Sequence, residues 1–349
     1  KSVLEEALDN LEDDLFLVIQ QAADNIMVFH ERQKSDSQLD FSSDGSVLGW
    51  KVTPVDSAGI YIPGGRAAYP STLLMNAIPA QIAGVQRIAV VSPPGPSGLP
   101  HPLVMATAAF MGLEELYAVG GAQSIAALAY GTESIEKVIK ITGPGNAYVA
   151  EAKRQVYGTV GIDSLAGPSE IMIVCDRQDI PLDYLVRDML SQAEHDPDAR
   201  ALLVTTSEKQ AKKVADSLKK LVPKLPRREI IEASFKSRSA IILVENMEEI
   251  FEVVNELAPE HLEVLTKEPF NELYRIRNAG AIFLGPNTPE PVGDYFAGPN
   301  HTLPTSGCAK FSSPLGVQDF VKTSSVISYS AERLQSQGEQ IIRFAEEEE

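Results

Sequence analysis

"KVIKITGPGNAYVAEAKRQV", residues 137–156, reads as a strand, a tight glycine turn and then a helix. Gly143 and Gly145 allow close approach of backbone, and the amides that open the helix near Asn146 suit an anion such as a pyrophosphate. The usual dinucleotide fingerprint is incomplete, because Tyr148 stands where its third glycine belongs. A nucleotide loop and a plain turn therefore stay equally open here. "AVGGAQSIAALAYG", 118–131, repeats the design, with Gly120 and Gly121 before a helix that carries Gln123.

The same alternation runs outward in both directions. Apolar strand patterns occur at "GIYIPG", "RIAVVS", "ELYAVG", "EIMIVC", "ALLVTT", "AIILVE", "HLEVLT" and "GAIFLG". Between them lie helical patterns such as "PSTLLMNAIPAQIAG", "HPLVMATAAFMG" and "SEKQAKKVADSLKKLV". Strand and helix in alternation imply α/β architecture, with mostly parallel sheet covered on both faces. So many strands exceed one open sheet and predict two α/β units. Residues 11–33 read as a further helix, and "SDSQLDFSSDGS", 35–46, as a polar linker. In doubly wound folds ligands bind beyond the carboxyl ends of strands, so the site is expected there.

The chain has 349 residues, 44% hydrophobic and 22% charged, as a globular protein does. A formal charge of −18 excludes a general phosphate-backbone binder, so no nucleic acid partner is expected. Cys175 and Cys308 cannot staple a chain of this size, and no basic-then-apolar leader opens it. A reducing, cytoplasmic setting follows as the expectation. No apolar run reaches the ~20 residues of a membrane span, so no membrane partner is expected either.

Three stretches carry chemistry. "SQAEHDPDAR", 191–200, ends an amphipathic helix whose stripe is Leu182, Leu185, Val186, Met189, Leu190 and Ala193. Gln192 and His195 share a face off that stripe, either as a solvated helix end or as a site. "LAPEHLEVLT", 257–266, sets Glu260 beside His261 at a strand start. Such a pair suits acid–base work, but neighbours in a regular strand point to opposite faces, so both serve one pocket only across a turn. Pro259 biases Ala258 toward extended backbone. "EPVGDYFAGPNH", 290–301, adds Asp294 and His301. The amide, imidazole and carboxylate set suits zinc better than a soft thiolate metal, although spacing alone does not assign a metal. His30 and His101 read as structural.

Together "YIPGGRAAYPSTLLMNAIPAQIAGV", "GPGNAYVAEAKRQVYG", "DSLAGPSEI", "SQAEHDP", "LAPEHLE" and the segment 278–320 resemble histidinol dehydrogenase, in order and over most of the chain. The resemblance implies a zinc-dependent enzyme that oxidises L-histidinol to L-histidine through the aldehyde, reducing NAD twice. It implies zinc ligation by Gln192, His195 and Asp294, which with His261 and Ser169 also face the substrate. It implies His261 as general base, Glu260 as activator of the hydrating water, and Tyr61, Gln123 and Asn146 as NAD contacts. It implies two incomplete Rossmann-like doubly wound units. The first, with the metal and catalytic residues, is discontinuous over 1–60 and 171–313; the second, binding NAD, spans 61–170. A helical C-terminal segment follows over 314–349, and the whole is expected to form a homodimer. In the family a segment beyond that helix adds a zinc-binding His and a substrate-contacting Glu across the dimer. The chain stops at Glu349 and starts at Lys1 rather than Met, so weaker metal binding or an inactive, metal-poor form is expected of it as it stands. The same residues would also serve a dehydrogenase of another small amino or acidic alcohol, or a non-catalytic binding protein on this scaffold.

Overall fold

The computed structural model describes residues 2–64 and 68–348. Gly65, Arg66 and Ala67 of the glycine-rich "YIPGGRAAYP" stretch therefore lie outside the described residues. Helices α1 (Ser2–Asp9) and α2 (Asp13–Glu31) open the chain. The expected polar linker instead holds strand β1 (Gln38–Phe41), which turns through Asp44 and Gly45 into β2 (Val47–Pro54). Every residue of β1 is exposed, and its alternation is only four residues long, with Leu39 and Phe41 the apolar members.

The first parallel sheet is built from β3 (Ser57–Tyr61), α3 (Pro70–Ala83), β4 (Arg87–Ser92), α4 (Pro102–Phe110), β5 (Glu115–Ala118), α5 (Ala122–Tyr130), β6 (Lys140–Thr142), α6 (Ala147–Val156) and β7 (Gly161–Ile162). Its strand order is β5-β4-β3-β6-β7. The order reverses at β3, so a crevice opens between the loops that follow β3 and β6, where ligands of such sheets bind. Local chemistry starts and stops the helices. Pro70 opens α3, and Gly84, left-handed at φ 88°, returns its N–H to the last turn.

The second parallel sheet follows with β8 (Glu170–Cys175), α7 (Leu182–Ala193), β9 (Arg200–Thr205), α8 (Glu208–Leu221), α9 (Arg228–Ser237), β10 (Ala240–Leu243), α10 (Met247–Leu257), β11 (His261–Leu265), β12 (Ala281–Leu284) and the short α11 (Glu290–Tyr295). Its order is β10-β9-β8-β11-β12, again reversing beside its first strand. Both faces are covered. Ile171, Ile173 and Cys175 pack toward Leu185, Val186 and Met189 of α7, while Met172 and Val174 pack toward Ile250, Phe251 and Val254 of α10. One strand thus feeds two cores through its two-residue period, which is why it reads as a continuous apolar run. The chain ends with β13 (Val321–Ser328), antiparallel to β2 over its whole length, and α12 (Ala331–Glu346). The molecule is an α/β fold of Rossmann-like parallel units with a C-terminal helix.

A buried ion pair fixes the turn after β6. Lys153 of α6, 2% exposed, meets Asp163 and donates to Gly143 O at 3.0 Å. Asp163 Oδ2 in turn accepts from Gly143 N–H at 2.8 Å. Gly143 sits at φ 109°, and a Cβ there would fall 2.2 Å from Tyr61 O, so only glycine fits against β3. Lys153→Met strands a buried carboxylate and is expected to cost about 3–5 kcal/mol in urea unfolding. The double variant with Asp163→Leu should recover most of that loss; equal destabilisation of the single and double variants would count against the ion-pair account.

Candidate active site

Strand β11 brings Glu260 and His261 together through one peptide of its neighbour. His261 pairs in register with Ile171, which sets Glu260 opposite Glu170. Glu170 N–H donates to Glu260 Oε2 at 2.8 Å, and His261 Nδ1 donates to Glu170 O at 2.9 Å. A carbonyl only accepts, so Nδ1 carries a proton and the second lone pair of the neutral ring belongs to Nε2. The junction is indeed a bend: Glu260 lies before the strand and His261 opens it. Ala258 is not extended but left-handed, at φ 48° and ψ 64°. Its N–H closes the last turn of α10 on Val254 O, and that helix cap outweighs the bias imposed by Pro259. Gly280 is needed alongside, since a Cβ there would lie 2.5 Å from Glu260 O.

The end of α7 supplies the next group. Gln192 is wholly buried, which removes the solvated-helix-end reading for it, and Nε2 donates to Glu290 Oε1 at 2.8 Å. The helix stops at Ala193, so His195 sits in the following turn, exposed, with its N–H on Gln192 O. The negative charge of Asp294 raises its basicity and His261 opposes this, while desolvation, the larger influence, sets it below the ordinary value. Asp294 comes from α11, four residues after Glu290 and on the same face. Its Oδ1 lies 3.7 Å from His261 Nε2, beyond hydrogen-bond reach. Its main-chain oxygen is anchored by His301 Nδ1 at 2.9 Å. Among the described residues, His261 Nε2 and Gln192 Oε1 are buried atoms with no hydrogen-bond partner.

The donors of His261, Glu290 and Asp294 lie within 4.8 Å of one another. A buried Gln192 oxygen without a hydrogen-bond partner beside clustered carboxylates is what a divalent cation satisfies, and the nitrogen–oxygen donor set fits zinc. The electrostatics agree. Burial pushes Glu260 up to about 7 and, with Asp294 beside it, Glu290 up to about 8. Burial lowers His261, but Glu260 and Asp294 more than offset it and hold the ring at about 10. Burial also works against ionisation of Asp294, yet His261 and His301 keep it near 2.

The second group of expected residues lies at the carboxyl ends of strands in the first sheet. Tyr61 ends β3, is buried, and its hydroxyl accepts from Gly121 N–H at 3.3 Å. Gln123 stands exposed in the first turn of α5, and Asn146 precedes α6. Asn146 Oδ1 accepts from the N–H groups of Tyr148 and Val149, so part of the expected anion cradle is taken by the helix's own cap. Ser169 directly precedes the bridging Glu170, and its carbonyl accepts from Arg200 N–H. The two groups are tied by Thr72 of α3, which contacts His301 Nε2 at 3.4 Å, and by Gly167 N–H on Thr305 Oγ1 at 2.6 Å. His30 braces this loop from below through Asn300, and His101 caps α4.

Site chemistry does not follow the carboxyl-end rule throughout. Tyr61, Gly121 and Gly143 obey it, but Glu260, His261 and Ser169 lie at the amino ends of β11 and β8. Sequence reasoning also missed the carboxylates Glu290, Glu263 and Asp188. Glu290 was legible four residues before Asp294, and Glu263 two residues after His261 on the same strand face.

A doubly wound scaffold with an imidazole–carboxylate pair beside a cation-ready pocket defines an α/β oxidoreductase of the dehydrogenase class. The sequence profile of histidinol dehydrogenase matches residues 1–349, and the chain belongs to the histidinol dehydrogenase family. It is 55% identical over 342 residues to the histidinol dehydrogenase of Halalkalibacterium halodurans, covering 98% of this chain and 80% of that protein. It is 54% identical to that of Bacillus subtilis, covering 99% and 81%. The crystal structure of the Elizabethkingia anophelis enzyme superposes with a TM-score of 0.94 at 36% identity, over 100% of this chain and 80% of that one. An acetylating aldehyde dehydrogenase from Geobacillus thermoglucosidasius, at 14% identity and TM-score 0.59 over 94% and 87%, shares the fold.

Behind the site, Glu263 is pushed up to about 9, first by burial and then by Asp188 against it. A carboxyl raised in the folded state holds a proton that the unfolded chain releases near its ordinary pKa. Stability is therefore lost as pH rises between that value and about 9, by at most ~1.4 kcal/mol per pH unit. With a chelator present, Glu263→Gln is expected to raise the unfolding midpoint more at pH 9 than at pH 6. An equal shift at both pH values would mean that the charge is not what the fold resists.

Proposed function

We propose that this chain is an NAD-dependent dehydrogenase that oxidises L-histidinol to L-histidine in two steps through the aldehyde, assisted by zinc. One observation carries the reading. His261 Nε2 and Gln192 Oε1 are both buried without a hydrogen-bond partner among the described residues; His261 clusters with Glu290 and Asp294, and the Gln192 amide is bonded to Glu290, in a chain of this family. Gln192, His195 and Asp294 would hold the cation. When bound, the cation orients the substrate's nitrogens and offsets the negative field that keeps His261 protonated. The nicotinamide, as hydride acceptor, supplies the redox chemistry.

The chain's own residues then divide the proton work. His261 Nε2 takes the alcohol proton, with the Glu170 carbonyl holding the ring's other nitrogen in place. Glu260, buried and tuned to about 7, activates the water that hydrates the aldehyde. His261 serves again in the second oxidation. Ser169 faces the substrate, while Tyr61, Gln123 and Asn146 contact NAD at the crevice of the first sheet. A homodimer accounts for the exposed Leu334, Ile341, Ile342 and Phe344 on α12, which buries none of its residues in the single chain. A cytoplasmic setting and a second boundary at 170/171 belong to the same reading; the boundary expected at 60/61 moves ahead of β3, since Ser57–Tyr61 is the central strand of the first parallel sheet, and segment 314–349 is joined to β2 through β13. No helix among the described residues is long and apolar enough to cross a membrane.

His261→Asn is expected to lower NADH formation from histidinol by about 10²–10⁴-fold while retaining zinc. His195→Asn should lose zinc. Metal analysis beside turnover separates the two, and equal zinc loss in both variants would refute the division of roles. Glu260→Gln should slow oxidation of supplied histidinal more than the first oxidation. A larger effect on the alcohol step would reassign Glu260.

A further inference from the structure

We propose that Glu290 is a positioning residue for the cation pocket. Its carboxylate fixes the Gln192 side-chain amide so that the carbonyl oxygen, and not the amide nitrogen, faces the space shared with His261 and Asp294. The proposal deepens the metal-site reading and rests on it.

The shape of a side-chain amide alone does not fix which end faces the pocket. Its oxygen and nitrogen ends are nearly the same size, and a half-turn about the last side-chain torsion exchanges them. Only the oxygen has a lone pair to offer a cation. In open solvent either orientation is satisfied by water, but Gln192 has 0% exposure and no such freedom. Here Nε2 donates to Glu290 Oε1 at 2.8 Å. The flipped amide would press two acceptor oxygens together in a buried place. The orientation that Glu290 enforces leaves Oε1 as the unpartnered end.

Glu290 is itself well held. It is 3% exposed, opens α11, and its backbone N–H donates to Glu263 Oε1 at 3.2 Å. The Glu263 side chain on β11 thus seats Glu290, and Glu290 seats Gln192, linking the sheet to the end of α7. Groups that support a ligand in this way commonly change metal affinity by 10–100-fold when lost. The role differs from direct ligation: one Glu290 oxygen holds Gln192, while the carboxylate also lies in the cluster with His261 and Asp294, and the variants below separate the two roles.

Two substitutions separate position from charge. Glu290→Gln keeps an acceptor oxygen at the same reach and loses the charge. Glu290→Asp keeps the charge but withdraws it by one methylene. The zinc-loaded protein is competed against a chelator, and retained zinc is read by metal analysis. Glu290→Gln is expected to hold zinc within about 3-fold of the parent, and Glu290→Asp at least about 10-fold more weakly. In a Gln192→Ala background, Glu290→Asp should cause no further loss. The proposal fails if Glu290→Asp retains zinc while Glu290→Gln loses it, or if the losses from Gln192→Ala and Glu290→Asp simply add. Unchanged zinc retention in Gln192→Ala would instead overturn the metal-site reading beneath it.

Discussion

One peptide group, that of Glu170, holds the chemistry of this molecule in place. Its N–H reaches the Glu260 carboxylate and its carbonyl receives the His261 ring. Both bonds follow from the parallel register of β8 and β11, in which His261 pairs with Ile171. A one-residue slip would turn every side chain of β11 to the other face and abolish both bonds together. The apolar alternation of "EIMIVC" between two cores prevents that slip, because Ile171 and Met172 cannot exchange faces without exposing both. Core packing and site geometry are therefore a single constraint.

The same constraint concentrates negative charge. Glu260, Glu290 and Asp294 are gathered around one imidazole with Glu263 behind them, and Glu260, Glu263 and Glu290 are pushed well above the usual carboxylate range, first by burial. A protein does not hold such a group stably without protons or a counter-charge. His261, held as imidazolium, answers part of the need. On the proposed reading Gln192 Oε1 would be among the atoms that hold a cation, whose charge would offset the negative field around His261. Without it the pocket is arranged to keep the imidazolium proton.

Much of this was legible in the chain, and the reasons are physical. Buried parallel strands announce themselves as apolar runs, so β3 through β12 could be placed, the two-residue β7 aside. Strand β1 could not, because all its residues are exposed and its sheet closes only through β13, some 280 residues onward. Glu260 and His261 stood out as an adjacent pair, but their convergence depended on a left-handed Ala258 that pre-proline preference argues against. Gln192 was legible as a side chain off the apolar stripe. What covers it was not, because Glu290 is 98 residues away in sequence.

The failure of the carboxyl-end rule in half of the molecule carries its own lesson. In the first sheet the crevice residues follow β3, β5 and β6, where strand order reverses and backbone amides are open. In the second, Glu260, His261 and Ser169 precede their strands, and Gln192 and His195 precede β9. The loop 300–305, packed on α3 and on Gly167, brings the carboxyl edge of one sheet toward the amino edge of the other. On the proposed reading two unlike surfaces meet, one for a large anionic cofactor and one for a small cationic substrate. Open amides at a strand's carboxyl end suit the first. Side chains set by strand register at the amino end suit the second, since they carry charge and ligand atoms that a backbone lacks. Two copies of one architecture used from opposite ends supply both, and the rule that predicts the first surface has no physical reason to predict the second.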